Sequence, residues 1–331
     1  MRVLVSGAQG WLGWFTVAAC LRTHPTAEVF GFGRSPALGA FTHRLADGRR
    51  APLPPALQQT PRDPRYQYLQ ADLCDAGSVQ ALVRTVRPDT ILHLAGGLPG
   101  GTAEALAAVN VAGSRTLVRA AESARARVVF ASTGSLYGDP VRVPQDEDHP
   151  AEGITDYARS KWAGEQAARA EAEARRVPLV IGRIFNGVGP GQPRHFLPGS
   201  LAAQLADITL GTAPPVVRMG PLHTTRDYID VRDVAAAMVQ LGHQASPGTT
   251  VNLASGIETP IQAVWDTLLA AARRRGSRPV RVDRLPPRPA NVRRQVGDTR
   301  RMRAAGIPAG RSLEDSLGDL MDYALSAART A

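Results

Sequence analysis

The stretch Arg2-Val3-Leu4-Val5-Ser6-Gly7-Ala8-Gln9-Gly10-Trp11-Leu12-Gly13 decides the fold. A short apolar run ends in closely spaced glycines, and an amphipathic segment follows to about Arg22. That order reads as strand, tight turn, helix. Glycines at 7, 10 and 13 permit a tight turn, close approach of the backbone to a pyrophosphate, and close packing of helix on strand. The helix N-terminus then offers amide donors and a favourable dipole to phosphate oxygens. The spacing is GxxGxxG, and its place at the head of a strand–helix–strand unit gives it meaning. Gly7, Gly10, Trp11, Leu12 and Gly13 are therefore candidate contacts to a dinucleotide.

Outward from this stretch, apolar runs alternate with helical ones. Strands are expected at Glu28–Phe32, Tyr66–Leu69, Thr90–Ala95, Val128–Ser132 and Leu179–Ile184. Helices are expected at Ala76–Val86, Thr102–Arg125 and Asp156–Arg175. Residues 34–65 are rich in Pro, Arg and Ala without periodicity and read as a long loop with one short helix. The alternation predicts an α/β fold, a doubly wound parallel Rossmann sheet. Beyond Gly187 the elements shorten and Pro and Gly multiply. The expected division is a dinucleotide-binding domain over 1–186 carrying the catalytic helix. A smaller α+β substrate-binding domain covers 187–331, with some segments returning to the main sheet.

The end of the second strand separates NAD from NADP. An acid there would bind ribose hydroxyls and repel a 2′-phosphate. The sequence reads Gly31-Phe32-Gly33-Arg34-Ser35, with no carboxylate and an Arg placed to pair with that phosphate. The preferred cofactor is NADP(H), with NAD as the alternative. Asp72 and Leu73, after the third strand, are expected beside the adenine.

The formal charge is +10, but the cations are scattered, and clusters such as Arg273-Arg274-Arg275 carry no interleaved aromatics. A solvated basic surface and a site for an anionic small molecule account for this without nucleic acid. Cys20 and Cys74 fit neither a disulfide framework nor a metal spacing, and both read as buried thiols of a reducing cytoplasm. No apolar run suggests a signal peptide or membrane anchor.

Of the 39 Lys and Arg residues, all but one are Arg, and Lys161 is the exception. Such a bias lets Arg serve wherever any cation suffices. A single Lys then marks a place needing a compact ammonium on a flexible stem. Four residues before it stands Tyr157, in Tyr157-Ala158-Arg159-Ser160-Lys161. On a helix this spacing brings phenol and ammonium to one face. A nearby cation lowers a phenol pKa, which suits Tyr157 to general acid–base work.

With these features the chain resembles the extended short-chain dehydrogenase/reductase (NAD-dependent epimerase/dehydratase) family over nearly its whole length. The resemblance rests on His93-Leu94-Ala95-Gly96, on Asn110-Val111-Ala112-Gly113-Ser114, and on Ala131-Ser132-Thr133-Gly134-Ser135-Leu136-Tyr137-Gly138. It implies that Thr133 completes a catalytic set with Tyr157 and Lys161. It also implies that Leu94, Ala95 and Asn110 line the cofactor, that Tyr157 and Lys161 touch it, and that Ser135 adjoins the substrate. Arg183-Ile184-Phe185-Asn186, Gly189-Pro190-Gly191-Gln192 and Arg226-Asp227-Tyr228 are similar to the branch holding GDP-mannose 4,6-dehydratase and GDP-4-keto-6-deoxymannose reductase. By that likeness Asn186, Arg226 and Arg288 hold a sugar nucleotide, and the long helices 102–125 and 156–175 form a homodimer.

Two departures narrow the reading. Dehydratases of the branch carry an acid just after the catalytic hydroxyl, where this chain has Gly134 and Ser135. The nucleotide-contacting RPxE reads Arg288-Pro289-Ala290-Asn291, which leaves the base open. The expected activity is NADPH-dependent reduction of a nucleotide-linked keto-deoxysugar. The alternatives are a nucleotide-sugar epimerase holding NAD tightly, a reductase of a free metabolite, and a non-catalytic NADP-sensing protein.

Overall fold

The computed structural model describes residues 1–140, 142–286, 292–308 and 310–329. The first half runs β1 (Arg2–Ser6), α1 (Trp11–Thr23), β2 (Glu28–Gly33), β3 (Tyr66–Gln70), α2 (Ala76–Val86), β4 (Thr90–His93), α3 (Ala103–Ala107), α4 (Ser114–Ala121), β5 (Arg127–Thr133), α5 (Asp156–Arg175) and β6 (Leu179–Ile184). There follow β7 (Asn186–Val188), α6 (Leu197–Thr209), β8 (Val216–Met219), β9 (Thr225–Arg226), β10 (Tyr228–Asp230), α7 (Val231–Gln244) and β11 (Thr250–Leu253). The chain closes with β12 (Thr259–Pro260), α8 (Ile261–Arg274), β13 (Arg281–Arg284), α9 (Arg300–Ala304) and α10 (Leu313–Arg329).

Seven parallel strands form the main sheet in the order β3-β2-β1-β4-β5-β6-β11. Strand order reverses between β1 and β4, and the crevice beyond their carboxyl ends is where such sheets bind ligands. The apolar runs of β1, β4 and β5 are continuous because both faces are covered. In β1, Val3 and Val5 join a core with α1 and α7, while Leu4 points into the opposite core with α2 and α4. A third core holds α6, α8 and α10 against β8 and β13, a separate two-stranded parallel pair. Among the described residues no helix is long and apolar enough to cross a membrane.

Three expectations need correction. Residues 34–65 are a long loop, as expected, but with two short 3-10 turns, Pro55–Leu57 and Thr60–Arg62, in place of one short helix, and packed as a strap. Phe41, Ala51, Leu53 and Leu57 are buried in the core of α1. A Cβ on Gly191 would lie 2.4 Å from the Phe41 ring, and the Tyr323 hydroxyl donates to the Pro52 carbonyl at 2.9 Å. The helix expected over Thr102–Arg125 is interrupted by a π-helical turn, Ala108–Gly113. That turn meets α5 where Gly164 has no side chain, since a Cβ there would stand 2.1 Å from the Asn110 carbonyl oxygen. Cys74 is exposed, and only Cys20 of the two thiols is buried.

Candidate active site

The glycine turn is shaped by sterics. Gly7 has φ +68°, which favours glycine, and a Cβ there would touch Ala95 backbone atoms at 3.0 Å. Gly10 N donates to the Gly7 carbonyl at 2.9 Å, and a Cβ on Gly13 would come within 2.1 Å of that same oxygen. The turn delivers the chain tightly into α1, whose first amides lack intrahelical acceptors. The Trp11 side chain turns towards the second half of the chain. Its indole Nε1 donates to the Pro190 carbonyl at 2.8 Å and its ring lies against Gly187, so the side chain joins the turn to the second half. Leu12 packs on the α1 core. The backbone amides of both residues stand at the head of α1, where phosphate oxygens would fit.

Beyond β4, the amides of Leu94 and Ala95 each donate to Ser6 Oγ at 3.0 Å. Ser6 Oγ also meets His93 Nδ1 at 2.8 Å, and His93 Nε2 meets Ser114 Oγ at 2.9 Å. Burial, then the charge of Lys161, brings His93 down to about 3, so the ring is a neutral buried bracket. Asn110 is a second bracket. Its Oδ1 accepts from Gly97 N and its Nδ2 donates to Ser160 Oγ, both at 2.8 Å, tying the loop after β4 to the catalytic helix. Leu73 packs against Gly113, and Asp72 Oδ1 accepts from Cys74 N at 2.9 Å. Arg34 is exposed, near enough to Cys74 for its charge to act on that thiol. Tight glycine turn, open helix amides and flanking Arg34 and Asp72 fit a dinucleotide along the top of β1, β2 and β4.

Thr133 ends β5 and caps the turn Gly134–Tyr137, its hydroxyl accepting from Ser135 N at 3.1 Å. Thr155 Oγ1 accepts from Ala158 N at 3.1 Å and starts α5, placing Tyr157 in the first turn and Lys161 in the next. Lys161 Nζ donates to the Ala131 carbonyl at 2.6 Å and sits 4.9 Å from the centre of the Phe130 ring. The ammonium and the Thr133 hydroxyl therefore hang on the same strand. Burial pushes the Tyr157 phenol up, and the Thr133 hydroxyl partly offsets this. The lowering of the phenol expected from Lys161 is not found: burial and the Thr133 hydroxyl set its direction, and burial brings Lys161 itself down to about 8. The Gly134 backbone lies against the Phe185 ring, so a Cβ would stand 2.9 Å from a ring carbon.

A buried polar network beneath this set escaped the sequence reading. Glu165 accepts from Ser132 Oγ at 2.7 Å and from Arg183 Nη2 at 2.8 Å. Arg183 Nη1 donates to the Tyr137 hydroxyl at 2.9 Å, and that hydroxyl donates to Asn252 Oδ1 at 2.7 Å. Burial pushes Glu165 up, but Arg183 prevails and holds it below the usual carboxylate range. The available signal was spacing: Tyr157, Lys161 and Glu165 recur every four residues on one helix face.

On the substrate side, Asn186 Nδ2 donates to the Asp227 carbonyl at 2.9 Å and to Gln295 Oε1 at 3.0 Å. Its amide donors are thus engaged within the protein, contrary to a role in donating to phosphate. Asp227 is buried and accepts from Ser255 N and Oγ, Gly256 N and Gly297 N. Arg226 is half-buried and donates to the Thr225 carbonyl at 2.7 Å, burial bringing its guanidinium below the ordinary value. Ser135 is half-buried next to Thr133. Arg288 and Asn291 lie outside the described residues.

Known proteins place this geometry. The chain is 31% identical over 271 residues to dTDP-6-deoxy-L-talose 4-dehydrogenase (NAD(P)(+)) of Kitasatospora kifunensis, covering 81% of this chain and 78% of that protein. It is 29% identical to the UDP-glucose 4-epimerase of Mycolicibacterium smegmatis over 92% of this chain and 91% of that one. Among solved structures, the Thermus thermophilus UDP-glucose 4-epimerase in complex with NAD superposes with a TM-score of 0.78 at 26% identity, covering 98% of this chain and 99% of that one. Residues 3–254 match the NAD dependent epimerase/dehydratase family, and the chain belongs to it, as an NAD(P)-dependent enzyme of the extended short-chain type.

Proposed function

We propose that the chain is an NADPH-dependent reductase of a nucleotide-linked 4-keto-deoxysugar. The observation that carries the reading is the end of β2, where Gly33 leads into the exposed Arg34 and no carboxylate stands. A guanidinium there favours a 2′-phosphate. The contact between Gly134 and Phe185 supports the same reading, because the position after Thr133 has no room for the acid that water elimination needs. The Kitasatospora relative is named for oxidising a deoxysugar at carbon 4 with NAD(P)+, the reverse of this reduction.

In this scheme Thr133 donates a hydrogen bond to the substrate carbonyl oxygen and fixes it against Tyr157. NADPH, when bound, supplies the hydride that adds to the carbonyl carbon. Tyr157 gives its phenolic proton to the oxygen, completing the alcohol. The ammonium of Lys161 favours the phenolate so formed, and a proton from water restores the phenol. Arg226 holds the diphosphate, while Asn186, its amide hydrogens engaged, offers Oδ1 to a sugar hydroxyl and Ser135 adjoins the sugar. The second reading, an epimerase retaining NAD, draws on the epimerase relative and the NAD-bound Thermus structure.

The test is to denature the purified protein, identify any released dinucleotide, and measure NADPH oxidation with 4-keto-6-deoxy sugars linked to dTDP, UDP or GDP. NADPH oxidation by one of these, with an emptied protein preferring NADPH, is the expected result. Near-stoichiometric NAD carried through purification would overturn the reductase reading in favour of epimerisation.

A further inference from the structure

Three successive peptide carbonyls after β2 are each bound by a side chain from elsewhere. Gln70 Nε2 donates to the Arg34 carbonyl, the Tyr68 hydroxyl to the Ser35 carbonyl, and Gln9 Nε2 to the Pro36 carbonyl, all at 2.8 Å. The preceding carbonyl, that of Gly33, accepts from Ala71 N at 3.1 Å. Gln9 lies in the glycine turn, only 3% exposed, and its Oε1 accepts from Leu38 N at 2.6 Å. Pro36 brings no N–H to this segment, so its conformation depends on donors supplied from β3 and from the glycine turn. Carbonyl oxygens carry partial negative charge and oppose a neighbouring phosphate. Here they are directed onto donors within the fold, and the Arg34 side chain in the same segment is exposed.

We propose that Gln9, Tyr68 and Gln70 are positioning residues for dinucleotide selectivity, holding the Arg34–Pro36 backbone so that Arg34 meets the 2′-phosphate of the cofactor. This rests on the pairing of Arg34 with that phosphate argued above. A segment ordered beforehand avoids the entropy of ordering on binding, so the donors favour the 2′-phosphorylated ligand without touching it.

The experiment measures calorimetric affinities of the full chain for 2′,5′-ADP and for 5′-ADP, in the wild type and in Arg34→Ala, Tyr68→Phe and Gln70→Leu. Tyr68→Phe keeps the ring, and Gln70 is exposed, so thermal melts should stay near wild type. Losing one such hydrogen bond should lower the preference for 2′,5′-ADP by about three- to tenfold, with 5′-ADP binding unchanged. Arg34→Ala should erase the preference. If Arg34→Ala erases it but Tyr68→Phe and Gln70→Leu leave it intact, or weaken both ligands equally, the positioning role is overturned and the Arg34 assignment stands. If Arg34→Ala leaves the preference unchanged, the assignment falls and the positioning role falls with it.

Discussion

Replacing Lys161 with methionine should stop turnover and stabilise the fold. The side chain is 7% exposed, and burial brings its ammonium from 10.5 down to about 8 against the opposing pull of Glu165. That depression corresponds to about 3 kcal/mol against the charged form. The sign follows from proton counting. Between about pH 8 and 10.5 the unfolded chain holds this proton and the folded chain does not, so stability rises with pH across that window. Below it the fold carries the whole penalty. Methionine, unbranched and of similar length, removes the charge but leaves the Ala131 carbonyl without its donor, a loss of about 1 kcal/mol. The net gain at pH 7 is about 2 kcal/mol, a melting point higher by about 3 °C for a chain of this length. Near pH 10 the gain should vanish. Comparing variant with wild type cancels the six tyrosines, all raised by burial, and Cys20, raised to about 12 by burial. Because the chain has one lysine, selective 13C labelling gives a single ε-carbon resonance whose titration reads this group alone. A midpoint at 10 or above, or a variant less stable than wild type at pH 7, would refute the reasoning.

Tyr157→Phe removes the proton donor and should lower kcat by about 10²- to 10⁴-fold while leaving dinucleotide affinity within about twofold, read from steady-state rates and a binding titration. Gly134→Asp forces a Cβ to within 2.9 Å of the Phe185 ring, costs about 1–3 kcal/mol in urea unfolding, and should bring no elimination activity. Glu165→Leu strands the Arg183 guanidinium, whose side chain is 5% exposed, without its carboxylate. Urea unfolding should show a loss of about 3–5 kcal/mol.

What could be read from sequence was what local periodicity encodes. The turn after β1 and the helix bounds Asp156–Arg175 agree with expectation because glycine spacing, the Thr155 cap and the four-residue Tyr157–Lys161 interval are local signals. The strap over 34–65 was not legible, since Phe41, Leu53 and Leu57 reach the core at irregular intervals and depend on partners such as Gly191 and Tyr323 far along the chain. The π-helical turn was hidden for the same reason. The bond of Asn186 to Gln295 joins residues 109 apart, and nothing near Asn186 announces that its amide is engaged. Arg183 stood in plain view, but only the fold shows that it faces Glu165 and Tyr137 inward rather than a ligand.

The proposed set Thr133, Tyr157 and Lys161 would serve reduction and epimerisation alike, so it does not decide between them. A reductase must release its oxidised dinucleotide at each turnover, whereas an epimerase keeps the dinucleotide and returns the hydride to the same sugar. The distinction is one of grip, and on the proposed reading that grip is set by Arg34 and the segment that follows it. Here the glycine turn is joined to the strap through Gln9 and to the second half through Trp11. The strap in turn reaches Gly191 and Tyr323. Changes at Arg34 or its carbonyl donors should therefore alter which dinucleotide is held, and how long, with Thr133, Tyr157 and Lys161 undisturbed. On the proposed reading, selection acting on that distant segment would move such an enzyme between the two reactions without touching the reacting residues.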